Sequence, residues 1–570
     1  MMTWQKNLAA TVLGIIAHLG IFIRGEWHLR APGVVVCHVS AIATGISLHI
    51  HNLPEAASSI AVWWLQLFTL YLFGMFTTIT IYRLFFHRIR HFPGPRVAAV
   101  SKLWSVYQCR DSRNHLLLDG LHKKYGNFVR TGPAEITIFH PKAWEVMDGA
   151  GNANIRSDWY DIVHPRISPI FSRKEEDHTE RRKVWNRALS TKSIRDYLPR
   201  ILQQIGTLES IIASASADGQ PVVPNDIMQW FAFDSMGEFA FNENFGMMKT
   251  KTWHRAIMQQ RSALAILGSL NHTVWAIRLA FSFLARFWRV KDWMDMISFC
   301  DQCMERRLRT EATQSDIASY FIKEFYKGKN EKNWVSKKQL LSGNTVSVIV
   351  GGSDMTGPSL ILLWYFMALY PEQAERVYQE IKDVESSDIN TLANLPCLNG
   401  FINESMRLIP AALTMGIRLT PPEGMTIDGT YIPGGIKVAA PRYTIFRSTF
   451  LGWKTGFRSH KSNPFTTILV ESAFEDPLSF VPERWYSRPE MIREKSAFVP
   501  FGVGRRACVG KNLALTQIRL VATILLSRYR VRFAPGETGE AVERDMRDQL
   551  TAQPGRYAVV FEPRDQIVST

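Results

Sequence analysis

Phe501-Gly502-Val503-Gly504-Arg505-Arg506-Ala507-Cys508-Val509-Gly510 is a glycine-punctuated loop that presents one cysteine just ahead of an apolar helical run from Leu513 to Leu526. The glycines permit tight turns and the close approach of a flat ligand, and Arg506, two residues from the sulfur, suits an anionic group. A thiolate displayed on such a loop is a metal ligand. The competing reading is a buried free cysteine acting as a small hydrophobe.

The spacing Phe-x-x-Gly-x-Arg-x-Cys-x-Gly is complete at Phe501, Gly504, Arg506, Cys508 and Gly510, and it resembles the haem-binding signature of the cytochromes P-450. The resemblance implies haem b as cofactor, with Cys508 as the axial ligand of its iron and Phe501, Gly504 and Arg506 around it. In that family the thiolate pushes electron density into the iron and favours O–O cleavage.

Upstream stretches extend the resemblance. His178 and Arg182 stand four apart, on one face of a charged helix expected over Glu175 to Ser190. Solvated helical charge is the ordinary meaning of such a pair. In the family a Trp or His four before an Arg contacts a haem propionate, which makes His178 and Arg182 candidate cofactor residues. Arg418 is another candidate, just beyond Ala411 to Gly416, the stretch that would run past the haem edge.

Leu340 to Leu369 is apolar nearly all round its helical period, as expected of a helix at the centre of a large domain. Its middle is Gly351-Gly352-Ser353-Asp354-Met355-Thr356-Gly357-Pro358. Pro358 has no N–H, so the carbonyl of Asp354 loses its helical partner and a groove is predicted beside that acid. The family's glycine-x-acid-threonine stretch is similar at Gly352-Ser353-Asp354, but Met355 stands where the threonine is usual and Thr356 follows. Asp354 and Thr356 are therefore the candidate catalytic residues. A buried, hydrogen-bonded Asp354 with no part in chemistry is the alternative.

Glu404 and Arg407 are three apart and flanked by apolar residues. They resemble the family's Glu-x-x-Arg, completed by Arg484 in Phe480-Val481-Pro482-Glu483-Arg484-Trp485, a buried structural network rather than a catalytic one. Hairpins are expected at Tyr125–Arg130 with Glu135–Phe139, and at Asp428 to Gly435. Asp158 to Ser172 reads as an irregular loop, either the pocket wall that the resemblance implies or plain surface. Trp230, Phe231, Phe233 and Phe239 read as core. Thr449 to Val470, 22 residues, departs from the family pattern, as an exposed insertion or as a translated intervening segment.

Residues 1–90 read as a membrane region with one to three transmembrane helices. Ala56 to Tyr82 has no charged residue over 27 positions, where roughly 20 suffice to span a bilayer. Leu8 to Ile23 and Val34 to Ile50 are shorter candidates, which could also lie in the interface. Arg24 and Arg30 between those two, and Arg83, Arg88 and Arg90 after the third, favour three crossings with the body cytoplasmic. His91-Phe92-Pro93-Gly94-Pro95-Arg96 resembles the family's proline-rich hinge. The six cysteines, at 37, 109, 300, 303, 397 and 508, are too sparse for a disulfide scaffold, and Cys300-x-x-Cys303 lacks the second pair that a zinc site needs. The formal charge of +16 is scattered, without a nucleic-acid pattern, and suits a membrane surface and an acidic protein partner.

The expected fold is therefore mainly α with small β-sheets, a P-450 domain over residues 91–570 behind the membrane region. The wording of the motifs is most similar to filamentous-fungal P-450s of secondary metabolism. What the resemblance implies is a monooxygenase of the endoplasmic reticulum membrane, catalytic domain toward the cytoplasm, acting on a small hydrophobic substrate such as a terpenoid, alkaloid or polyketide. Electrons would come from NADPH through a cytochrome P-450 reductase, with cytochrome b5 as a further donor. Two rivals remain open: a haem-thiolate isomerase, dehydratase or peroxygenase, and a non-enzymatic membrane-anchored haem or sterol binder.

Overall fold

The computed structural model of the protein describes residues 2–311, 314–327, 334–449 and 472–564. At the amino terminus stand three apolar helices, Met2–Ile16 with a π-helical extension Ala17–Phe22, Ala31–Asn52, and Ala57–Ile81. All three are long and apolar enough to cross a membrane. The first and third approach through glycines. A Cβ at Gly14 would stand 2.0 Å from the Tyr71 carbonyl oxygen, and one at Gly74 would stand 2.2 Å from that of Thr11. His38, a polar residue in the middle of the second helix, is satisfied by the Val34 carbonyl at 2.7 Å and the Tyr71 hydroxyl at 3.0 Å, as a polar group among apolar helices must be.

The body that follows is helical around two central helices, Trp334–Ser353 and Thr356–Leu369. The expected single helix is broken at Asp354–Met355, four residues before Pro358, the position whose carbonyl has no N–H to receive. Helix Pro224–Phe241 packs on this pair and buries Trp230, Phe231, Phe233 and Phe239. Helix Lys511–Arg528, launched from the cysteine loop, packs on its second half. Glu175–Ala188 forms the charged helix; it ends before Ser190, which instead caps the next helix by accepting from the Ser193 N–H. Cys300 and Cys303 are both buried in Trp288–Arg309 and act as core residues.

Eleven strands occur among the described residues. β1 (Phe128–Gly132), β2 (Glu135–Ile138), β3 (Ile155–Arg156), β4 (Ile417–Leu419) and β7 (Lys437–Ala439) form one sheet in the order β1-β2-β7-β4-β3. β5 (Met425–Ile427) and β6 (Thr430–Ile432) form the expected hairpin, turning at Asp428-Gly429 with φ of 45° and 71°. β8 (Tyr529–Phe533) pairs with β11 (Val559–Pro563), and β9 (Arg547–Gln549) with β10 (Thr551–Gln553). The first hairpin turns later than the sequence suggests, because a bulge carries β1 through Gly132.

Glu404 is completely buried in helix Pro396–Leu408 and accepts five hydrogen bonds. Arg407 donates two of them at 2.9 and 2.8 Å; Arg484 at 3.1 Å, Trp485 at 2.9 Å and the Val481 N–H at 2.9 Å supply the rest. Arg407 also donates from one nitrogen to the carbonyls of Phe446 at 2.8 Å and Pro477 at 2.6 Å. The chain on either side of 449–470 is thus gathered onto one guanidinium. Residues 450–470 of that stretch lie outside the described residues.

Removing one partner of a fully desolvated network strands the others, at about 3–5 kcal/mol. Arg484→Ala should therefore abolish soluble, haem-loaded protein, measured as expression and haem content, whereas the exposed Arg488→Ala should not. Because Arg407 already holds both flanks, deletion of Thr449 to Val470 should preserve or raise the haem-loaded yield; a deletion that fails to fold shows the stretch is built into the domain.

Candidate active site

Cys508 is shaped by backbone geometry before its sulfur is considered. Gly502 and Gly504 adopt φ of 70° and 68°, conformations that L side chains resist, and a Cβ at Gly504 would stand 1.9 Å from the Asp148 carbonyl oxygen. The Cys508 N–H donates to the Phe501 carbonyl at 2.7 Å, closing the loop. Gly510 has an ordinary φ of −86°, and a Cβ there would lie 3.9 Å from the Cys508 sulfur, an ordinary contact, so neither its backbone nor the space among the described residues demands glycine. The residue stays open to its surroundings while its thiol is packed about by protein. Burial pushes the thiol up from its ordinary range, opposed by the N–H groups of Gly510 and Lys511 and by the Arg182 charge.

Around the loop lies a cluster of buried cations. β3 and β4 set Arg156 opposite Arg418. Arg418 chelates Asp148 at 2.6 and 2.5 Å and donates to the Tyr160 hydroxyl at 2.9 Å. Arg506 pairs with Glu175 at 3.0 Å and donates to the Ser172 carbonyl at 2.9 Å. Arg182 donates to the Ala507 carbonyl at 2.8 Å, tying its helix to the cysteine loop. His178, on the same helix face, is 3% exposed, and its Nδ1 has no hydrogen-bond partner among the described residues. Desolvation, then the charges of Arg506, Arg156 and Arg182, hold its imidazole down at about 3, so it is neutral.

Arg156 and Arg442 join this cluster without any motif to announce them. Both are 6% exposed; burial and then neighbouring guanidinium charge hold them at about 9 and about 10. The Arg156 Nε has no partner among the described residues. Four buried guanidiniums, Arg156, Arg418, Arg442 and Arg506, face one fully buried carboxylate, Asp148, and the partly exposed Glu175. This excess of positive charge beside a displayed cysteine fits a flat dianionic group with two carboxylates, which is what haem is. Arg418, expected from the sequence to meet a propionate itself, has its fork taken up by Asp148, so its charge rather than a free donor is what it offers.

One face of the central helices is left open. Gly351 is exposed and Gly352, Met355 and Ser359 are partly buried, while Ser353, Asp354, Thr356, Gly357 and Pro358 are buried. A Cβ at Gly351 would meet nothing within 4 Å. Met355 therefore shares the open face. Thr356 does not: its hydroxyl donates to the Gly352 carbonyl at 3.1 Å. Asp354 points toward the β9–β10 hairpin, where its Oδ2 accepts from the Thr551 hydroxyl at 2.8 Å and its Oδ1 has no partner among the described residues. Gln553 donates to the same hydroxyl at 2.7 Å and accepts from Arg261 at 3.3 Å. Burial raises the Asp354 carboxyl to about 6 against the Thr551 hydrogen bond and the Arg261 charge. The groove read from Pro358 is thus occupied by a polar chain through Thr551, a residue 197 positions away that no local pattern could flag.

Two substitutions test the cradle. Cys508→Ser should abolish the thiolate signature of the reduced carbon-monoxide complex. Arg156→Gln removes a charge while keeping a donor for the Pro169 carbonyl, and should speed haem loss to an apoglobin acceptor by about tenfold or more.

Comparison with known proteins bears on the same residues. The sequence model of the family described as Cytochrome P450 matches residues 93–449 and 464–561. A protein named cytochrome P450 monooxygenase notG', from Aspergillus versicolor, is 31% identical over 576 residues, covering 98% of each chain. One named tryprostatin B 6-hydroxylase, from Neosartorya fischeri, is 32% identical over 547 residues and 93% of each chain. Cytochrome P450 monooxygenase phqL of Penicillium fellutanum is 31% identical, covering 99% of this chain and 96% of that one. The cysteine loop, the buried Glu404 network and the kinked central helices all lie within the matched residues, and the chain belongs to the cytochrome P450 family.

Proposed function

We propose that the protein is a membrane-anchored monooxygenase of fungal secondary metabolism, which inserts one oxygen atom from O2 into a small hydrophobic terpenoid, alkaloid or polyketide. Electrons pass from NADPH through a membrane-bound reductase, with cytochrome b5 as a further donor, and the body faces the cytoplasm from the endoplasmic reticulum membrane. The observation that carries the chemistry is the displayed Cys508 beside a cationic cluster short of negative charge. The near-full-length similarity to named fungal monooxygenases supports the metabolic setting.

Bound haem supplies oxygen activation at its iron, and the chain supplies the rest. Gly510, Lys511 and Arg182 favour the thiolate form of Cys508. His178, Arg182 and the cluster led by Arg156 and Arg506 receive the two haem carboxylates. Asp354 relays the proton. Because Thr551 donates to Oδ2, Oδ1 is the oxygen that takes a proton up, and a carboxyl near 6, largely ionised at neutral pH, takes it up and gives it back within about a unit of neutrality. Thr356 braces the Gly352 carbonyl at the helix break. Met355 lines the open face with a thioether that donates no proton and excludes water. That thioether favours one rival at the same site, a haem-thiolate isomerase, dehydratase or peroxygenase; turnover without NADPH would select it.

Asp354 carries a signed expectation. Its folded carboxyl titrates near 6 and an unfolded one near 3.8, so its contribution to stability is full below the lower value and lost as pH rises through the upper one. Asp354→Asn should therefore stabilise the protein at pH 7.5 by about 2–3 kcal/mol, measured as Tm against the parent. The same variant should slow product formation at least about tenfold. Thr356→Ala should divert NADPH into hydrogen peroxide, and Met355→Thr should be tolerated. Product and peroxide per NADPH decide: unchanged coupling in Thr356→Ala confines Thr356 to bracing Gly352, and an unchanged rate in Asp354→Asn removes the acid from proton delivery.

A further inference from the structure

The loop between the first two apolar helices, Ile23 to Arg30, lies against the catalytic body. It is stiff for its length: the Trp27 indole donates to the Arg24 carbonyl at 2.8 Å, the Arg30 N–H donates to the Trp27 carbonyl at 3.0 Å, and Trp27 meets Phe22 edge-on at 5.1 Å. Its tip carries Glu26 and His28. Glu26 takes the Arg173 guanidinium in a two-pronged pair at 2.6 and 2.7 Å. The His28 imidazole, 6% exposed, meets Asp161 at 2.8 Å. Burial pushes the Asp161 carboxyl up, but the His28 hydrogen bond and then Arg173 hold it below its ordinary range.

Arg173 is the pivot. One of its nitrogens reaches both Glu26 and Asp161, its Nε donates to the Arg156 carbonyl at 3.0 Å, and its own carbonyl accepts from Arg506 at 3.3 Å. One residue therefore joins the membrane loop, the segment 158–172 and the cationic cluster. That segment is no plain surface loop. Trp159, Tyr160, Ile162 and Val163 are buried, Ser168 bonds to Ser347 of the first central helix at 2.8 Å, and a Cβ at Gly343 would meet the Ile167 carbonyl oxygen at 2.1 Å. Having no helical or sheet ladder beyond one short turn, it depends on such side-chain ties to keep its shape.

Glu26, His28 and Asp161 stand close enough to share a metal ion, with ligand atoms within 4.8 Å of one another. Arg173 already supplies the positive charge between the two carboxylates, so the arrangement is an ion-pair clasp. A second tie runs alongside it. Helix Val274–Phe283 packs on the second apolar helix, and its Arg278 donates to the His164 carbonyl at 2.6 Å.

We propose that Glu26 and His28 are positioning residues for the haem pocket: the loop between the first two membrane helices clamps the wall segment 158–172 through Arg173, making the leader a working part of the catalytic unit. The inference rests on the reading of 158–172 as pocket wall beside the haem cluster. Loss of Glu26 frees one prong of Arg173 and leaves Asp161 as its only carboxylate. The wall then opens more often, and a pocket ligand is held less well, without any change at Cys508.

The test uses the full-length, haem-loaded protein in lipid nanodiscs. Amide hydrogen exchange over 157–173 should rise about tenfold in Glu26→Gln and His28→Asn, with the central helices 334–369 unchanged. Spectral titration with an azole should show an affinity weaker by about threefold to tenfold, and Glu26→Asp, which keeps the carboxylate, should recover most of both. Haem content and the thiolate spectrum should match the parent. Parent-like exchange over 157–173 in both variants would overturn the clamp. Raised exchange with unchanged azole affinity would reduce the loop to an anchoring contact and overturn the positioning role. Neither readout requires turnover, so failure of the monooxygenase assignment would show separately, as absent NADPH-dependent product in a parent that retains the clamp.

Discussion

One carboxylate without access to water organises the body. Glu404 sets a carboxylate where charge is expensive; the five hydrogen bonds it accepts come from its own helix and from the segment Val481 to Trp485, and Arg407 donates onward to the carbonyls of Phe446, Pro477 and Ser479. No single part can satisfy the network by itself, so the segments must assemble together or leave buried charge unpaired. The chain running from Trp485 to the cysteine loop inherits its placement from this assembly.

A second electrostatic logic operates at the cationic cluster beside Cys508, with the opposite sign of completeness. Glu404 is fully paired by the protein, whereas Arg156 and Arg442 are depressed by burial and then by the Arg418 charge, and the Arg156 Nε has no partner among the described residues. Completeness marks a structural network and deficit marks a binding one. The central helices divide labour similarly: one face, with Gly351 and Met355, is left open, while the opposite side commits Asp354 to Thr551. Raising a buried acid toward neutrality sacrifices stability at physiological pH, a common signature of residues kept for function.

Much of this was legible in the sequence, and the failures have physical causes. Contiguous motifs are short-range objects, so the cysteine loop, the Glu404–Arg407 pair, the break before Pro358 and the apolar leader could be read directly. What escaped was assembled across distance. Arg156 sits in a two-residue strand with no flanking signal, and Thr551 in a hairpin 197 residues from the acid it bonds. Arg418 was noticed for its position near the haem edge, but its commitment to Asp148 depends on a partner 270 residues away. Thr356 followed the acid in sequence, but its hydroxyl back-bonds to the Gly352 carbonyl four residues before it, as helical threonines commonly do.

The glycine notch between the first and third helices acquires a meaning beyond close packing. In lipid, apolar side chains gain nothing by meeting each other rather than acyl chains, so a backbone-to-backbone contact such as Gly14 on Tyr71 and Gly74 on Thr11 fixes the azimuth of one helix about another. Azimuth decides where the following loop emerges, and here it emerges over Arg173. On the proposed reading of these helices as membrane spans, two residues without side chains set the heading of the body relative to the bilayer. A chimera carrying another protein's leader would still be anchored, but would have lost its bearing.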